Sequence, residues 1–450
     1  MAVNHYLSIM FRTVSYAIAF TMCLIFFNGC KKDLDEISPR IKFISPYAGS
    51  AYSVLEYVDI QVTITDETSI DWVHIDIVKV NNVQIASAQQ MSFSGSLSET
   101  IQVGILLENI HIETGTYYIR VRAHDGTNEH VSFREIQVYE VPKEVLGIYV
   151  FSSINSSTLN IDQVQESGTL TLATWNSDFS FGAANSYHRE LAFAGDQLDG
   201  TTFIDGSGFD LLHSNLNNNN TSSAYYHDFI FNPEDLRYYA ITRDGQIEIY
   251  RPGGTLQQTI FTQINQRPYH ISVTESRLLV EERSWNGDQQ SINQYYKGSG
   301  ALESSIGLPF ALVAILETND EFQLFGYDGD QFKTMSYSGS SNALGTEIEL
   351  NTESIGTVQN VIRVDATLNS EAFVLCGDNG MRAFTVNVVQ ASEVANWSQG
   401  GSQVQLNEAT GELVVLSGEE LITYSWSSSN PIGSVSIGNS ALDFAILYNK

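Results

Sequence analysis

Four short β-strands follow one another between His227 and Phe261, and this pattern constrains the fold more than any other feature of the chain. Apolar runs alternate there with turns at Asn232-Pro233, Asp244-Gly245 and Pro252-Gly253-Gly254. A single four-stranded sheet of about 40 residues cannot bury both of its faces, so it must stack on copies of itself. The stretch therefore predicts one blade of a β-propeller.

Comparable starts of an inner blade strand recur along the chain at Ser186, His227, Arg267, Leu308, Val358, Gly401 and Asn439. Their spacings are 41, 40, 41, 50, 43 and 38 residues. Such a period resembles that of WD40-like and quinoprotein-like propellers, although no Gly-His or Trp-Asp signature names a family. The resemblance implies a propeller over residues 141–450.

The two ends of this region set the predicted blade count. Only one strand, 441–448, follows the last repeat, whereas three strands precede the first, at Leu146–Ser152, Thr158–Val164 and Thr169–Trp175. The last strand and the first three together make one blade, which predicts seven blades closed by pairing of the N- and C-terminal strands. Closure hides the strand edges that otherwise invite aggregation. An open, six-bladed or eight-bladed arrangement is the alternative.

Residues 40–140 read as strand and turn throughout. Polar and apolar residues alternate between Val58 and Ile64, which places one strand face in a core. The seven candidate strands are Ile41–Ile44, Tyr57–Thr65, Trp72–Val80, Val83–Ala86, Thr100–Leu107, Tyr117–Ala123 and Val131–Tyr139. Seven short strands in about 100 residues indicate a sandwich. The segment Thr114–Gly126 resembles the late strand pair of bacterial immunoglobulin-like domains, which implies an Ig-like β-sandwich. Such a domain is expected to serve as a spacer, and carbohydrate or protein binding is the alternative.

The N-terminus has the features of a targeting signal. Residues 13–27 are predominantly apolar and uncharged, a length that suits a secretory signal better than a membrane span. The Gly29-Cys30 pair that follows resembles a bacterial lipobox, which implies a signal peptide over 1–29, lipidation of Cys30 and a flexible tether over 30–39. A plain signal peptide or an uncleaved anchor is the alternative, and either Met1 or Met10 could be the start.

The departures from a strict lipobox, at Phe27 and Asn28, and the lysine-then-acidic tether both resemble lipoproteins of the Bacteroidota. The resemblance implies an outer membrane lipoprotein exposed at the cell surface and attached to the membrane by its lipid. The leaflet, like the oligomeric state, stays open.

Composition and motifs restrict the chemistry. With 22 Lys+Arg against 52 Asp+Glu the formal net charge is −30, which disfavours nucleic-acid binding. The three cysteines form no CxxC motif, so neither a disulfide framework nor a structural zinc site is expected. The Gly-x-Ser-x-Gly, His-Glu-x-x-His and Walker patterns are missing as well. The sequence thus predicts no cofactor, no metal and no catalytic residue.

Ligand-binding candidates are the polar residues at the predicted inner-strand starts, because those starts ring the mouth of a propeller channel. They are His188, Arg189, Glu190, His227, Asp228, Arg267, Tyr269, His270, Asn360 and Gln403. The three histidines could suggest a metal or acid/base centre, but Phe310 and Val361 break the symmetry, which favours polar wall residues.

Two loops offer weaker signals. The loop around Asn217–Asn220 could bind a glycan through its amides, but an insertion is the favoured interpretation. Asp328-Gly329-Asp330 could bind calcium, but a hairpin turn is favoured.

The leading functional hypothesis is a non-catalytic, lipid-anchored surface protein that presents a propeller face to a protein or glycan. The alternative is a propeller lyase or hydrolase of extracellular polysaccharide that uses His188, His227, Asp228 and His270. A quinoprotein-type dehydrogenase has only the analogy of fold behind it.

Overall fold

The structure is a computed structural model. It describes residues 37–450 apart from 198, 217–223, 288, 319–320, 367–369, 388, 427 and 439. The predicted signal peptide, Cys30, most of the tether, the Asn217–Asn220 loop and Asn439 lie outside the described residues. All regular structure within them is β, and no helix there is long and apolar enough to cross a membrane. The chain divides into two compact units, Met1–Val141 and Pro142–Lys450.

The strands of the first unit form one hydrogen-bonded sheet of seven strands. Its strands are β1 (Arg40–Ser45), β2 (Ser50–Ser53), β3 (Tyr57–Val78), β4 (Gln84–Ser87), β5 (Met91–Leu106), β6 (Gly115–His124) and β7 (Glu129–Tyr139). The two strands expected at Tyr57–Thr65 and Trp72–Val80 are the halves of the single strand β3, and β2 was not predicted. The order is β1-β3-β6-β7-β2, with β4 and β5 also paired to β3 and β2 parallel to β7.

Both halves of β3 contribute to the same core. Val58, Ile60, Val62 and Ile64 in the first half are fully buried at every second position. Ile75 and its alternate neighbours in the second half join them in one hydrophobic cluster. This alternation is what a half-buried strand requires.

The second unit is a propeller of seven blades, numbered here along the chain. Blade 1 combines β8 (Val145–Asn155), β9 (Thr158–Gln165) and β10 (Gly168–Trp175) with the last strand of the chain. Blade 2 contains β11 (Phe181–Asn185), β12 (Glu190–Ala194), β13 (Thr201–Asp205) and β14 (Leu211–Ser214). Blade 3 contains β15 (Tyr226–Asn232), β16 (Arg237–Thr242), β17 (Gln246–Tyr250) and β18 (Leu256–Phe261).

The remaining blades repeat this plan. Blade 4 contains β19 (Gln266–Val273), β20 (Arg277–Ser284), β21 (Gln290–Tyr296) and β22 (Leu302–Gly307). Blade 5 contains β23 (Ala311–Glu317), β24 (Phe322–Asp328), β25 (Gln331–Ser338), β26 (Ala343–Leu344) and β27 (Ile348–Glu349). Blade 6 contains β28 (Val358–Ala366), β29 (Ser370–Gly377), β30 (Gly380–Val386) and β31 (Ala391–Trp397). Blade 7 contains β32 (Gln403–Asn407), β33 (Glu412–Ser417), β34 (Glu420–Tyr424) and β35 (Pro431–Ser436).

The ring closes as the sequence predicts. The C-terminal strand β36 (Ala441–Tyr448) is the innermost strand of blade 1 and pairs antiparallel with β8. Its residues Phe444 to Tyr448 are all buried, and Phe444 packs with Val150 of blade 1 and Val414 of blade 7. Seven blades closed by strands from both ends of the unit are therefore confirmed.

One inner strand is not where the repeat placed it. In blade 2 the inner strand is β11, Phe181–Asn185, and Ser186 begins the turn that follows it. The other six inner strands start within three residues of the predicted positions, or at 441 for the repeat assigned to 439. The error matters because three candidate site residues were assigned to blade 2.

Candidate functional site

The seven inner strands begin on one face of the propeller and end on the other, and these are called the front face and the back face below. His227 and Asp228 lie near the start of β15, and Arg267, Tyr269 and His270 lie in the first half of β19. Asn360 is the third residue of β28, and Gln403 is the first residue of β32. These seven candidates lie at or near the front face.

The other three candidates do not lie at the front face; they are His188, Arg189 and Glu190. His188 and Arg189 occupy the turn after β11, and Glu190 opens the second strand of blade 2, so all three lie at the back face. Arg189 has a φ of 54° and its carbonyl accepts a hydrogen bond from Gly206, as befits a tight turn. The assignment of these three residues to the channel mouth is wrong, because the repeat was aligned one strand too late in this blade.

Glu190 has a structural role at its actual position. Its carboxylate accepts hydrogen bonds from Asn185 at 3.4 Å and from the Tyr238 hydroxyl of blade 3 at 3.2 Å. Burial raises the pKa of Glu190, and the hydrogen bonds from Gly253 and Tyr238 oppose that rise. The side chain joins blades 2 and 3 and is 6 % exposed, so little of it is open to a ligand.

At the front face, polar side chains join successive blades, and this set of contacts is called the inter-blade latch. In each contact a side chain of one blade hydrogen-bonds the main chain of the next blade's inner strand. The pairs are Asp228 with Ile271 N at 3.4 Å, Glu281 with Leu312 N at 3.1 Å, Asn360 with Val404 N at 3.4 Å, Gln405 with Phe444 O at 2.6 Å, and Asp443 with Gly182 N at 3.0 Å.

Five inner strands carry a register shift close to these positions. The shifts fall at Tyr226/Asp228, Pro268/His270, Leu312/Ala314, Val358/Asn360 and Ala441/Asp443. A β-bulge re-aims the side chain beside it, so in three strands the residue after the shift reaches the neighbouring blade. The candidates Asp228 and Asn360 are thus already engaged in holding the ring together.

Burial changes the pKa values of the two aspartates of the inter-blade latch, Asp228 and Asp443. Burial raises the pKa of Asp228, and the nearby His270 opposes the rise. Burial raises the pKa of Asp443 to about 7, although the amides of Gly182 and Phe444 donate to it. Carboxyl groups with raised pKa values also occur at active sites, but here the hydrogen-bond partners belong to the adjoining blade.

A stack of side chains covers the inner wall of blade 4. The Tyr269 ring lies between the His227 ring, at a centroid distance of 4.4 Å, and the Arg283 guanidinium, 4.1 Å from its centroid. Arg283 donates two hydrogen bonds to Glu281, at 2.8 and 3.0 Å, and His270 Nε2 is 3.8 Å from the same carboxylate. Glu281 is fully buried, so this charge pair is shielded and geometrically fixed.

His227 is held as a neutral side chain. Its Nδ1 donates to the Pro268 carbonyl at 2.7 Å, which fixes the tautomer. Burial lowers the pKa of His227, and the charges of Arg267, Arg283 and Arg243 lower it further, while the bond to Pro268 opposes this. The ring therefore carries no charge at neutral pH.

Arg267 differs from Arg283 because its charge has no matching carboxylate. Its guanidinium lies 4.4 Å from the centroid of the Trp285 ring. Among the described residues no Asp or Glu oxygen lies within 4 Å of it, and its buried Nε has no hydrogen-bond partner. Trp285 is 58 % exposed, so the rest of its indole faces solvent.

Beside this pair is a cleft of about 550 Å³ on the front face. Its lining residues are Gln263, Gln266, Gly287, Gln289, Gln290, Ser291, Ser305, Gly307, Leu308 and Pro309. Trp285 belongs to the same loop as Gly287, and its amide donates to the carbonyl of Asn265. The buried Oε1 of Gln266 has no hydrogen-bond partner. The cleft thus offers side-chain amide groups, of which those of Gln263 and Gln289 are exposed.

A larger cleft, of about 940 Å³, lies between the loops of blades 5 and 6 and includes the side chains of Asp330, Glu349 and Glu353. Asp328-Gly329-Asp330 next to it is a hairpin turn, with Gly329 at a φ of 59° and Asp328 paired to Lys333 at 2.6 Å. The turn interpretation is confirmed. Within the described part of the chain no group of three or more His, Cys, Asp or Glu could hold a metal ion.

The four residues proposed for an enzymatic site are not brought together. His188 lies at the end of the propeller opposite to His227, Asp228 and His270. Of those three, His227 bonds Pro268 and Asp228 bonds Ile271, while His270 lies beside Glu281. Asp228 and His270 lie close together, but the four-residue arrangement on which the hydrolase hypothesis depended does not form.

Several front-face residues were not found from the sequence. Glu281, Arg283 and Trp285 lie in or beside the second strand of blade 4, and the amides of the cleft lie in its loops. A signal existed, because Glu281 and Glu282 directly follow the apolar run Leu278 to Val280 in the same strand. Two adjacent carboxylates in a buried strand require built-in partners.

Comparisons with known proteins give the fold. No family model matches the chain, and no curated protein matches it. A functionally unknown protein from Desulfotomaculum acetoxidans DSM 771 is similar over 67 % of this chain and 99 % of its own, with 14 % identity and a TM-score of 0.50. At that identity the likeness concerns the fold alone.

Two further solved structures resemble the chain more loosely. A quinoprotein alcohol dehydrogenase-like protein from Bacteroides thetaiotaomicron VPI-5482 has 11 % identity and a TM-score of 0.45, over 91 % of this chain and 99 % of that one. Dihydro-heme d1 dehydrogenase NirN in complex with DHE has 10 % identity and a TM-score of 0.45, over 65 % of this chain. The match spans 64 % of the length of NirN.

Proposed function

We propose that this chain is a non-catalytic, lipid-anchored surface protein whose propeller binds its partner with the front face. One observation carries the proposal. Most of the polar residues near the inner-strand starts are engaged in the latch and in the Tyr269 stack, whereas the exposed Trp285 and the side-chain amides of the cleft belong to neither. Amide side chains beside an exposed aromatic suit ligand binding rather than proton transfer.

The front face also exposes apolar side chains next to the cleft. Phe261, the last residue of β18, is 69 % exposed, and Ile264 in the connection that follows it is 90 % exposed. Exposed apolar groups clustered on one loop mark interaction sites more often than single scattered ones do. They extend the proposed binding face beyond the Trp285 loop.

The first unit supports a spacer role. An Ig-like sandwich would explain why β3 pairs with β1 and β5 along its first half and with β6 along its second half. It would also explain why seven strands in about 100 residues enclose a single core. With Cys30 lipidated, such a module would separate the propeller from an outer membrane surface.

Two experiments test this function. Palmitate labelling of cells should mark the wild-type chain and not the Cys30→Ser variant. Protease added to whole cells should digest the wild-type chain, because the proposal places it at the cell surface. For the binding face, the purified full chain captures partners from outer membrane fractions. The double variant Ile264→Glu/Phe261→Glu should lose them, whereas Tyr187→Glu, an exposed aromatic on the back face, should retain them. Equal capture by both variants would overturn the front-face assignment.

A further inference from the structure

The cleft beside Trp285 has the chemistry of a saccharide site, and we infer that it binds a neutral oligosaccharide. The inference rests on the proposed function and names the ligand class of the same face. Sugar hydroxyls both donate and accept hydrogen bonds, and the side-chain amides that line the cleft, such as those of Gln263 and Gln289, can do the same.

The Trp285 ring is the second part of the site. One side of the indole is covered by Arg267, at 4.4 Å, and more than half of the side chain stays in solvent. The guanidinium therefore restricts the ring, so that less rotamer entropy is lost when a ligand stacks on it. The apolar face of a pyranose ring fits a flat indole of this kind.

Four glutamine side chains are the third part. Gln263 and Gln289 are exposed, whereas Gln266 and Gln290 are half-buried. Each amide presents donors and an acceptor without a charge, which matches ring hydroxyls. A volume of about 550 Å³ lies within the usual range of small-ligand sites.

Charge decides between a neutral and an acidic glycan. The chain has a formal net charge of −30, which repels polyanions at distances beyond the cleft. A single uncompensated guanidinium that already stacks on Trp285 is a weak basis for binding a polymer of carboxylates. A protein partner is disfavoured in this cleft, because only Leu308 and Pro309 among its lining residues could receive an apolar anchor.

The test uses the full chain with soluble glycans of known charge. Laminarin, dextran, inulin and galactomannan are the neutral probes, and polygalacturonate and alginate are the acidic ones, each examined by affinity electrophoresis and by calorimetry of its oligosaccharides. At least one neutral probe should bind and should protect the exposed Trp285 from acrylamide quenching. Trp285→Ala and Gln266→Ala should each weaken that binding by tenfold or more. Tyr187→Ala, on the back face, should leave it unchanged.

The outcomes separate this inference from the proposed function. If no neutral glycan binds, or if Trp285→Ala binds as tightly as the wild type, the inference is wrong. If the membrane partner that Ile264→Glu/Phe261→Glu loses is a protein or an acidic glycan, the saccharide assignment falls while the front-face function stands. If the double variant loses no partner, the proposed function itself fails.

Discussion

The closing strand gives the sharpest prediction about stability. Phe444 in β36 is fully buried between blades 1 and 7, against Val150, Val414 and Leu416. Truncation of a packed phenylalanine to alanine costs about 3–5 kcal/mol, because transferred apolar surface and a residual cavity both contribute. For a domain stabilised by about 5–15 kcal/mol, Phe444→Ala should remove about a fifth of the stability or more.

Urea denaturation followed by tryptophan fluorescence measures this loss. With a slope of about 3 kcal/mol per molar urea, the midpoint should fall by about 1 to 1.7 M. Leu442→Ala is the matched control in the same strand, because Leu442 is 43 % exposed and its loss should cost less than about 0.5 kcal/mol. Deletion of 441–450 should abolish the cooperative transition of the propeller. Equal shifts for the two point variants, or an unchanged transition after the deletion, would refute the closure argument.

Three further predictions concern titration and reactivity. Burial raises the pKa of Asp443 to about 7 from its usual 3.8, so the protonated form favours folding and stability is lost as pH rises through that interval. The whole loss is on the order of 4 kcal/mol, of which about 3 kcal/mol falls between pH 5 and pH 8, and denaturation of Asp443→Asn at these two pH values should lack this loss while the wild type shows it. Burial raises the pKa of the Cys376 thiol to about 12, so mass spectrometry should find its peptide unmodified by iodoacetamide at pH 8 until urea is added. In the first unit, Asp76→Ala should cost about 3–5 kcal/mol because it leaves Arg120 without its carboxylate, whereas Asp71→Ala, at an exposed pair with His124, should cost less than about 1 kcal/mol in the same denaturation assay.

The repeat was readable from the sequence wherever the inner strand carries large apolar residues. Blade 2 shows the limit of that signal. Its inner strand reads Phe181-Gly182-Ala183-Ala184-Asn185, and a Cβ at Gly182 would lie 2.4 Å from the Phe151 ring. Most residues of this strand have small side chains because blade 1 packs against it there, so the hydrophobic pattern of the strand is weak. The pattern search fell instead on Glu190–Ala194, the fully buried second strand, and moved three candidate residues to the wrong face.

The candidate site was less predictable, because its contacts cross from one blade to the next. The sequence places Asp228 and Asn360 at the start of inner strands, but only the register shifts next to them determine that they point to the following blade. A shift of one residue reverses the side to which a strand side chain points, and no local pattern records it. Arg267 and Tyr269 were identified, whereas their partners Trp285 and Arg283 lie on another strand and were not.

Contacts between blades explain why the starts of inner strands were a poor guide to binding residues in this propeller. Side chains at strand ends near the channel accept hydrogen bonds from main-chain N–H groups of the neighbouring blade. In this propeller Asp228, Asn360 and Asp443 do so. Side chains used in this way cannot also bind a ligand without weakening the ring. Residues in the connecting loops have no such duty, and Trp285 and the amides of the cleft lie there or beside them. Ligand chemistry in this chain is therefore expected on the loops of blade 4, while the channel wall supplies the rigidity that positions them.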